Sequence, residues 1–244
     1  MSAVPPAACG VITGGKWLEP STLPPPDIKP VPPTLPDQAL YFSGATAVDI
    51  GNPAKLDITG TITIMAWIRP DTIDGTQIIV GRGNEGNPKN EVFLRLVDTF
   101  YEVASSTGTA AGVRAPTSAA DRGAWVHLAG VCDGKNWYLY QNGKCIATKA
   151  QAQGAIRSVG WAIGAGSPPI DRFFRGFIRR VAIWRTALSA NDIVRNMNVI
   201  DPSQSGLAAY WPLDDGQGTV ARDLVTVAPA NGIIKGGVWV KSPV

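Results

Sequence analysis

Residues 174–188, FRGFIRRVAIWRTAL, decide how this chain is read. Apolar and β-branched residues dominate the segment, as in a strand, yet Arg179 and Arg180 stand side by side at its centre. Successive side chains on a strand face opposite ways. Strict alternation therefore sets Arg179 beside Phe177, Val181 and Ile183, and Arg180 beside Ile178, Ala182 and Trp184. On that reading the two arginines cannot share a patch. Arg180, with Arg175 and Arg185 near the strand ends, becomes a candidate for an interface contact.

Outward from this segment the chain has the texture of many short strands. Of its 244 residues, 45% are hydrophobic, 27 are Gly and 20 are Pro, a composition of turns and strands. Candidate strands are ALYFSG and TAVDI as a first pair, then TITIMAWIR, QIIVGR, EVFLRLV, AWVHLAGVC, NWYLYQ and KCIATKA. Asp133-Gly134 and Asn142-Gly143 join the last three, because these dipeptides tolerate the positive φ of tight hairpins. VGWAIG, the opening segment, LAAYW and GGVWV complete the set. Strands without intervening helices predict an antiparallel sandwich. One short helix is expected over 190–198, with Ser189 as N-cap and Asp192 as acidic capping-box partner.

The first 37 residues differ, since they hold ten of the twenty prolines. A polyproline-type arm of this kind cannot enter a sheet interior and is expected to dock on a partner surface. The organisation predicted is an extended arm or anchor over 1–37 and a sandwich domain over 38–244.

The motifs occur in a specific order. Ala39, Leu40, Phe42 and Gly44 form A-L-x-F-x-G, followed by Thr63 to Pro70 (TIMAWIRP) and by Trp125, His127 and Ala129 as W-x-H-x-A. Leu139 to Lys144 give L-Y-x-N-G-K, Gly176 to Leu188 give G-x-I-x-x-V-x-I-W-x-x-A-L, and Tyr210 to Gly216 give Y-W-x-L-D-x-G. Together, over residues 39 to about 223, they resemble the laminin G-like branch of the concanavalin A-like jelly rolls. The resemblance implies a two-sheet antiparallel jelly roll and says little of the ligand.

Catalytic chemistry is hard to place. Related jelly rolls include glycoside hydrolases, which need paired carboxylates, commonly as E-x-D-x-E on one strand. The four glutamates, Glu19, Glu85, Glu91 and Glu102, form no such pattern, so no enzyme activity is expected. One histidine, His127, cannot build a multi-histidine zinc site and reads as a core residue. The glycine-containing GRGNEGNP run, residues 81–88, lacks the Lys-Ser/Thr and following helix of a phosphate loop. No cofactor is expected.

The resemblance also implies a calcium site in many relatives, with acids after the first-strand Phe and after G-x-I. Ser43 and Arg179 occupy those positions, and a guanidinium cannot ligate calcium. We therefore expect no metal there, with the Arg179 charge standing in the ion's place and bonding the same carbonyls. Asp214, Asp215 and Asp223 are a weaker alternative, read first as a turn.

Trp67, Trp125 and Trp184 fall at core positions of the resemblance, whereas Trp17, Trp161 and Trp239 are less constrained. Sugar-binding candidates are Trp161, Asn84 and Asn87, within or near the loops 81–90, 105–120 and 165–172. Cys132 and Cys145 flank one strand about four residues, roughly 13 Å, apart, beyond disulfide reach. Both, with Cys9 making an odd count, read as free thiols of a chain made in a reducing compartment.

Net charge is +3, with a local excess over 171–195 of six arginines against two aspartates. This is too weak for nucleic acid, and no apolar run of membrane length exists. The N-terminus lacks a basic start and an apolar core, so no signal peptide is expected and synthesis is cytoplasmic. The expectation is a non-catalytic surface component of a larger particle, of virion or injection-apparatus type. Its partners would be other protein subunits, bound through residues 1–37. The alternative is a carbohydrate-binding or adhesion module whose ligand is a cell-surface glycan.

Overall fold

The computed structural model describes residues 38–83, 90–150, 153–169 and 171–243. The predicted arm over 1–37, and Asn84 and Asn87, lie outside the described residues. In chain order the strands are β1 (Gln38–Ser43), β2 (Ala47–Gly51), β3 (Ile62–Pro70), β4 (Thr76–Arg82), β5 (Asn90–Val97), β6 (Phe100–Thr107), β7 (Ala110–Pro116) and β8 (Val126–Cys132). They continue as β9 (Asn136–Gln141), β10 (Lys144–Ala150), β11 (Trp161–Ile163) and β12 (Arg175–Trp184). After the helix α1 (Ala190–Asn198) come β13 (Leu207–Trp211), β14 (Val220–Ala221), β15 (Gly232–Lys235) and β16 (Val238–Lys241).

These strands make two antiparallel sheets, the all-β jelly-roll sandwich expected. The first runs β10-β9-β8-β3-β12-β1-β16, with β13 also paired to β12; the second runs β14-β15-β2-β11-β4-β5-β6-β7. One continuous core lies between them, from Leu40, Ile64, Leu128, Ile178 and Ile183 on one sheet to Val48, Leu94, Val103 and Trp161 on the other. The sheets approach closely at Gly130 in β8, where an added Cβ would stand 2.3 Å from Val103 Cγ2. Any side chain there must push the sheets apart.

Two expectations change. ALYFSG and TAVDI do not pair: β1 lies between β12 and β16, and β2 lies between β15 and β11 in the other sheet. The chain crosses between the sheets in three residues, starting at Gly44 with φ 86°. The stretch 105–120, expected as a rim loop, is mostly the end of β6 and all of β7, at the margin of the second sheet. Its Ala, Ser, Thr and Gly residues carry little hydrophobic alternation, so the period-2 signal is weak. β5 turns into β6 through Asp98 and Thr99, with φ 45° and 67°, a tight turn made without glycine. The predicted Asn142-Gly143 hairpin has φ 50° and 78°, the paired positive values of its turn type.

The helix forms where expected. Ser189 Oγ accepts from Asp192 N at 3.2 Å and donates to the Asp192 carboxylate at 2.6 Å, so the acidic residue supports the cap through the hydroxyl. Ile193 and Met197 face the first sheet's outer side, joining Met65, Trp184, Tyr138, Tyr140 and Tyr210 in or beside a second apolar cluster. Trp67 Nε1 ties the sheet to the helix by donating to Met197 O at 2.7 Å.

Candidate binding site

The outer face of the first sheet carries most of the unusual chemistry. Along β12 the pairing with β3 is Arg179↔Trp67 and then Ala182↔Met65, so Arg180 and Val181 together oppose Ala66. This β-bulge gives Arg180 a φ of 49° and breaks the alternation. Ile178, Val181 and Ile183 all join the inter-sheet core, while Ala182 and Trp184 join the cluster under α1. The strict-alternation reading is therefore corrected. Arg179 shares its face with Phe177, Ala182 and Trp184, and both arginines reach the outer side of the sheet.

They end differently. Arg180 donates from Nη1 to the carbonyl of Asn198, the last residue of α1, and its backbone N donates to Pro212 O at 2.9 Å. Arg179 is 1% exposed, and Nε, Nη1 and Nη2 all lack hydrogen-bond partners. Its guanidinium carbon lies 4.3 Å from the Trp125 ring centroid. Such a contact is worth about 1–2 kcal/mol, against several kcal/mol for desolvating an ion. Burial, followed by repulsion from Arg180, lowers the Arg179 pKa to about 10, so it stays charged at neutral pH.

Beside Arg180 a groove of about 590 Å³ opens between the segment after α1 and the turns that close the sandwich. Arg180, Asn198, Asp214, Asp215 and Arg222 supply polar groups, and Val199, Pro202, Tyr210, Pro212 and Leu224 supply apolar ones. An adjoining recess of about 380 Å³ shares Asp215 and Arg222 and extends to Gln217 and Thr219. Burial raises the Asp215 pKa, and Arg222 opposes that rise from 3.8 Å away. Burial also raises the pKa of Tyr210, again against Arg180. The volume and mixed lining suit a small polar ligand with an apolar face.

Several predicted residues lie elsewhere. Trp161 is wholly buried in the core and donates to Leu56 O at 3.0 Å, so it presents no face to a ligand. Arg175 is exposed with its side chain against Gly44, and Arg185 donates to Lys55 O. Ten residues of extended strand separate Arg175 from Arg185, so Arg175, Arg180 and Arg185 do not make one patch. Of the rim loops expected to bind, 165–172 is a loop in its described part.

The implied calcium positions do not converge. Ser43 pairs with Arg175, four residues from Arg179 on β12, and its hydroxyl lies 3.2 Å from Thr46 Oγ1. The Arg179 guanidinium bonds no carbonyl, which overturns its expected stand-in role. Asp223 turns inward, away from any metal role: it accepts from the backbone N of Tyr210, Val225 and Ala230 and pairs with Lys55 at 2.5 Å. Among the described residues no cluster of His, Cys, Asp and Glu suits a metal. Glu91 and Glu102 are held in ion pairs with Arg172 and Arg95, at 2.6 and 2.7 Å.

His127 is a core residue, 1% exposed and stacked edge-on against Trp67 at 5.4 Å. Cys132 is a buried free thiol. Cys145 is disulfide-bonded, which corrects the reading of both as free thiols. Spacing excluded only a bond between those two, and a reducing compartment loses that support.

The matches to known proteins follow the fold. A sequence profile of the concanavalin A-like lectin/glucanase superfamily matches residues 42–194, well over half of the chain. The chain belongs to this superfamily. β13 to β16, beyond the matched region, complete both sheets of the superfamily sandwich. Mouse pappalysin-1 is 25% identical over 197 residues, which are 68% of this chain and 11% of that protein; the match thus spans about a tenth of its length. Among solved structures, a candidate carbohydrate-binding protein from Bacteroides ovatus superposes with a TM-score of 0.67 at 25% identity, covering 84% of this chain and 60% of that one. The tailspike protein 2 of Escherichia coli O157:H7 bacteriophage CAB120 gives a TM-score of 0.53 at 18% identity over 72% of this chain and 26% of that one, a likeness of fold.

Proposed function

We propose that this chain is a non-catalytic carbohydrate-binding or adhesion module. The observation that carries this reading is the groove beside Arg180, where Arg180, Asp214, the Asp215–Arg222 pair and Asn198 share the lining with apolar Tyr210, Pro212 and Leu224. Sugars present hydroxyls on their edges and CH groups on their faces, and such a lining answers both. The superposition with the Bacteroides ovatus protein supports the same reading. The burial of Glu91 and Glu102 in ion pairs favours binding over hydrolysis.

A glycan array probed with the full chain tests this. Binding to a defined sugar is expected, and Asp214→Ala or Arg222→Ala, both at the groove margin, weakens it by roughly tenfold or more through lost charged hydrogen bonds. Silence across the array, or binding unaffected by either change, refutes the groove assignment.

A second reading, compatible with the first, is that the module is mounted on a larger particle through its proline-rich arm. Ten prolines within residues 1–37 favour it. Deleting those residues is expected to abolish incorporation into the parent particle, and normal incorporation removes the idea.

A further inference from the structure

On the outer face of the first sheet, Arg179 and Arg69 have no carboxylate at ion-pair distance among the described residues. Arg179 is 1% exposed and none of its three guanidinium nitrogens has a partner. The register sets Arg69 opposite Phe177, diagonal to Arg179 on the same face, and Arg69 Nε is also buried and unpartnered. Other buried cations of this molecule have carboxylates: Lys55 has Asp223, Arg82 has Asp57, Arg95 has Glu102 and Arg172 has Glu91. Asp214 attracts Arg179 only at a distance, and Arg180 repels it. Backbone carbonyls cannot fill the gap, because the ladders to β3 on one side and to β1 and β13 on the other engage them along most of β12.

We propose that Arg179 and Arg69 form a binding site for a carboxylate. The planar, two-oxygen acceptor matches the guanidinium fork, which a spherical ion does not. The Trp125 ring stacks on Arg179 and tilts against Phe177, with centroids 6.2 Å apart, making an apolar wall for the carbon attached to that carboxylate. Half-buried Arg69 and Trp125 mark the side from which it enters. None of these residues lines the groove beside Arg180, so this site stands or falls apart from the glycan reading.

Thermal unfolding of the full chain in acetate, D-glucuronate, glucose and chloride at matched ionic strength tests the site. The wild type is expected to gain about 4 °C at saturating carboxylate, with glucose and chloride inert. Arg179→Met loses that gain, and Arg69→Gln raises the midpoint concentration roughly tenfold by removing one charged partner. A gain with acetate and glucuronate alike supports a site for free carboxylates. A gain with glucuronate alone supports one for a carboxylate borne on a sugar. No gain with either, or equal gains in wild type and Arg179→Met, overturns the proposal. Should Arg179→Met not fold, an unchanged midpoint in Arg69→Gln overturns it instead.

Discussion

Arg82 and Arg179 are each 1% exposed, yet they live in opposite surroundings. Arg82 closes one end of the sandwich, pairing with Asp57 at 2.8 Å and donating to the carbonyls of Ile58, Ile156 and Ser158. Arg179 lies on a sheet face against an indole ring, and its guanidinium has no hydrogen-bond partner. Loops at a sandwich end leave carbonyls without ladder partners, and a guanidinium can gather several of them. A sheet face offers none, since its backbone groups are already paired. The same residue type is thus a structural staple in one region and an unbalanced charge in the other.

The region around Arg179 also holds His127, and acid should expose the difference most strongly. Burial pushes the His127 pKa down to about 3, so the folded state holds it neutral. A depressed base is stabilising above its unfolded value of 6.5, and that contribution is lost as pH falls from 6.5 towards 3. Urea unfolding from pH 7 to pH 4 should show a loss of up to about 1.4 kcal/mol per pH unit from this group, absent in His127→Phe. At the other region Arg82 holds the Asp57 carboxyl below its usual range, so its contribution fades only at lower pH. Identical acid curves for wild type and His127→Phe would remove the contrast.

Replacing Arg82 by Met should cost about 3 kcal/mol, because three carbonyls and Asp57 lose their donor together. Chemical denaturation measures this, and a cost under about 0.5 kcal/mol would mean that the sandwich end closes without the staple. The smallest expected effect is at Trp125. Trp125→Leu should cost about 1 kcal/mol through the lost cation–π contact, measured in the same assay. In an Arg179→Met background that cost should shrink, and an unchanged value would show that the ring does not stabilise the charge.

Much of the architecture was legible from residue patterns. The W-x-H-x-A strand, the Asn142-Gly143 hairpin, the helix capped by Ser189 and the core tryptophans Trp67 and Trp184 stand where expected. β6 and β7 were not, because small residues carry no clear alternation. Arg180 stood out as a candidate interface contact on an argument that fails: strict alternation takes no account of the bulge, and a bulge at an Arg-Arg-Val step has no Gly to announce it. The groove had a partial signal in the Asp214-Asp215 turn. Its other wall, Asn198 to Pro202, gave none, since those residues meet the turn only when α1 folds onto the sheet.

The sequence by itself determined the sandwich, its hairpins, its helix cap and its superfamily, because alternation, turn chemistry and caps act over a few neighbouring residues. Only the tertiary structure decided which charges find partners. That depends on which backbone groups the sheets leave free, and it separates Arg82, Asp223 and Arg172, each met by partners from distant segments, from Arg179, which meets none.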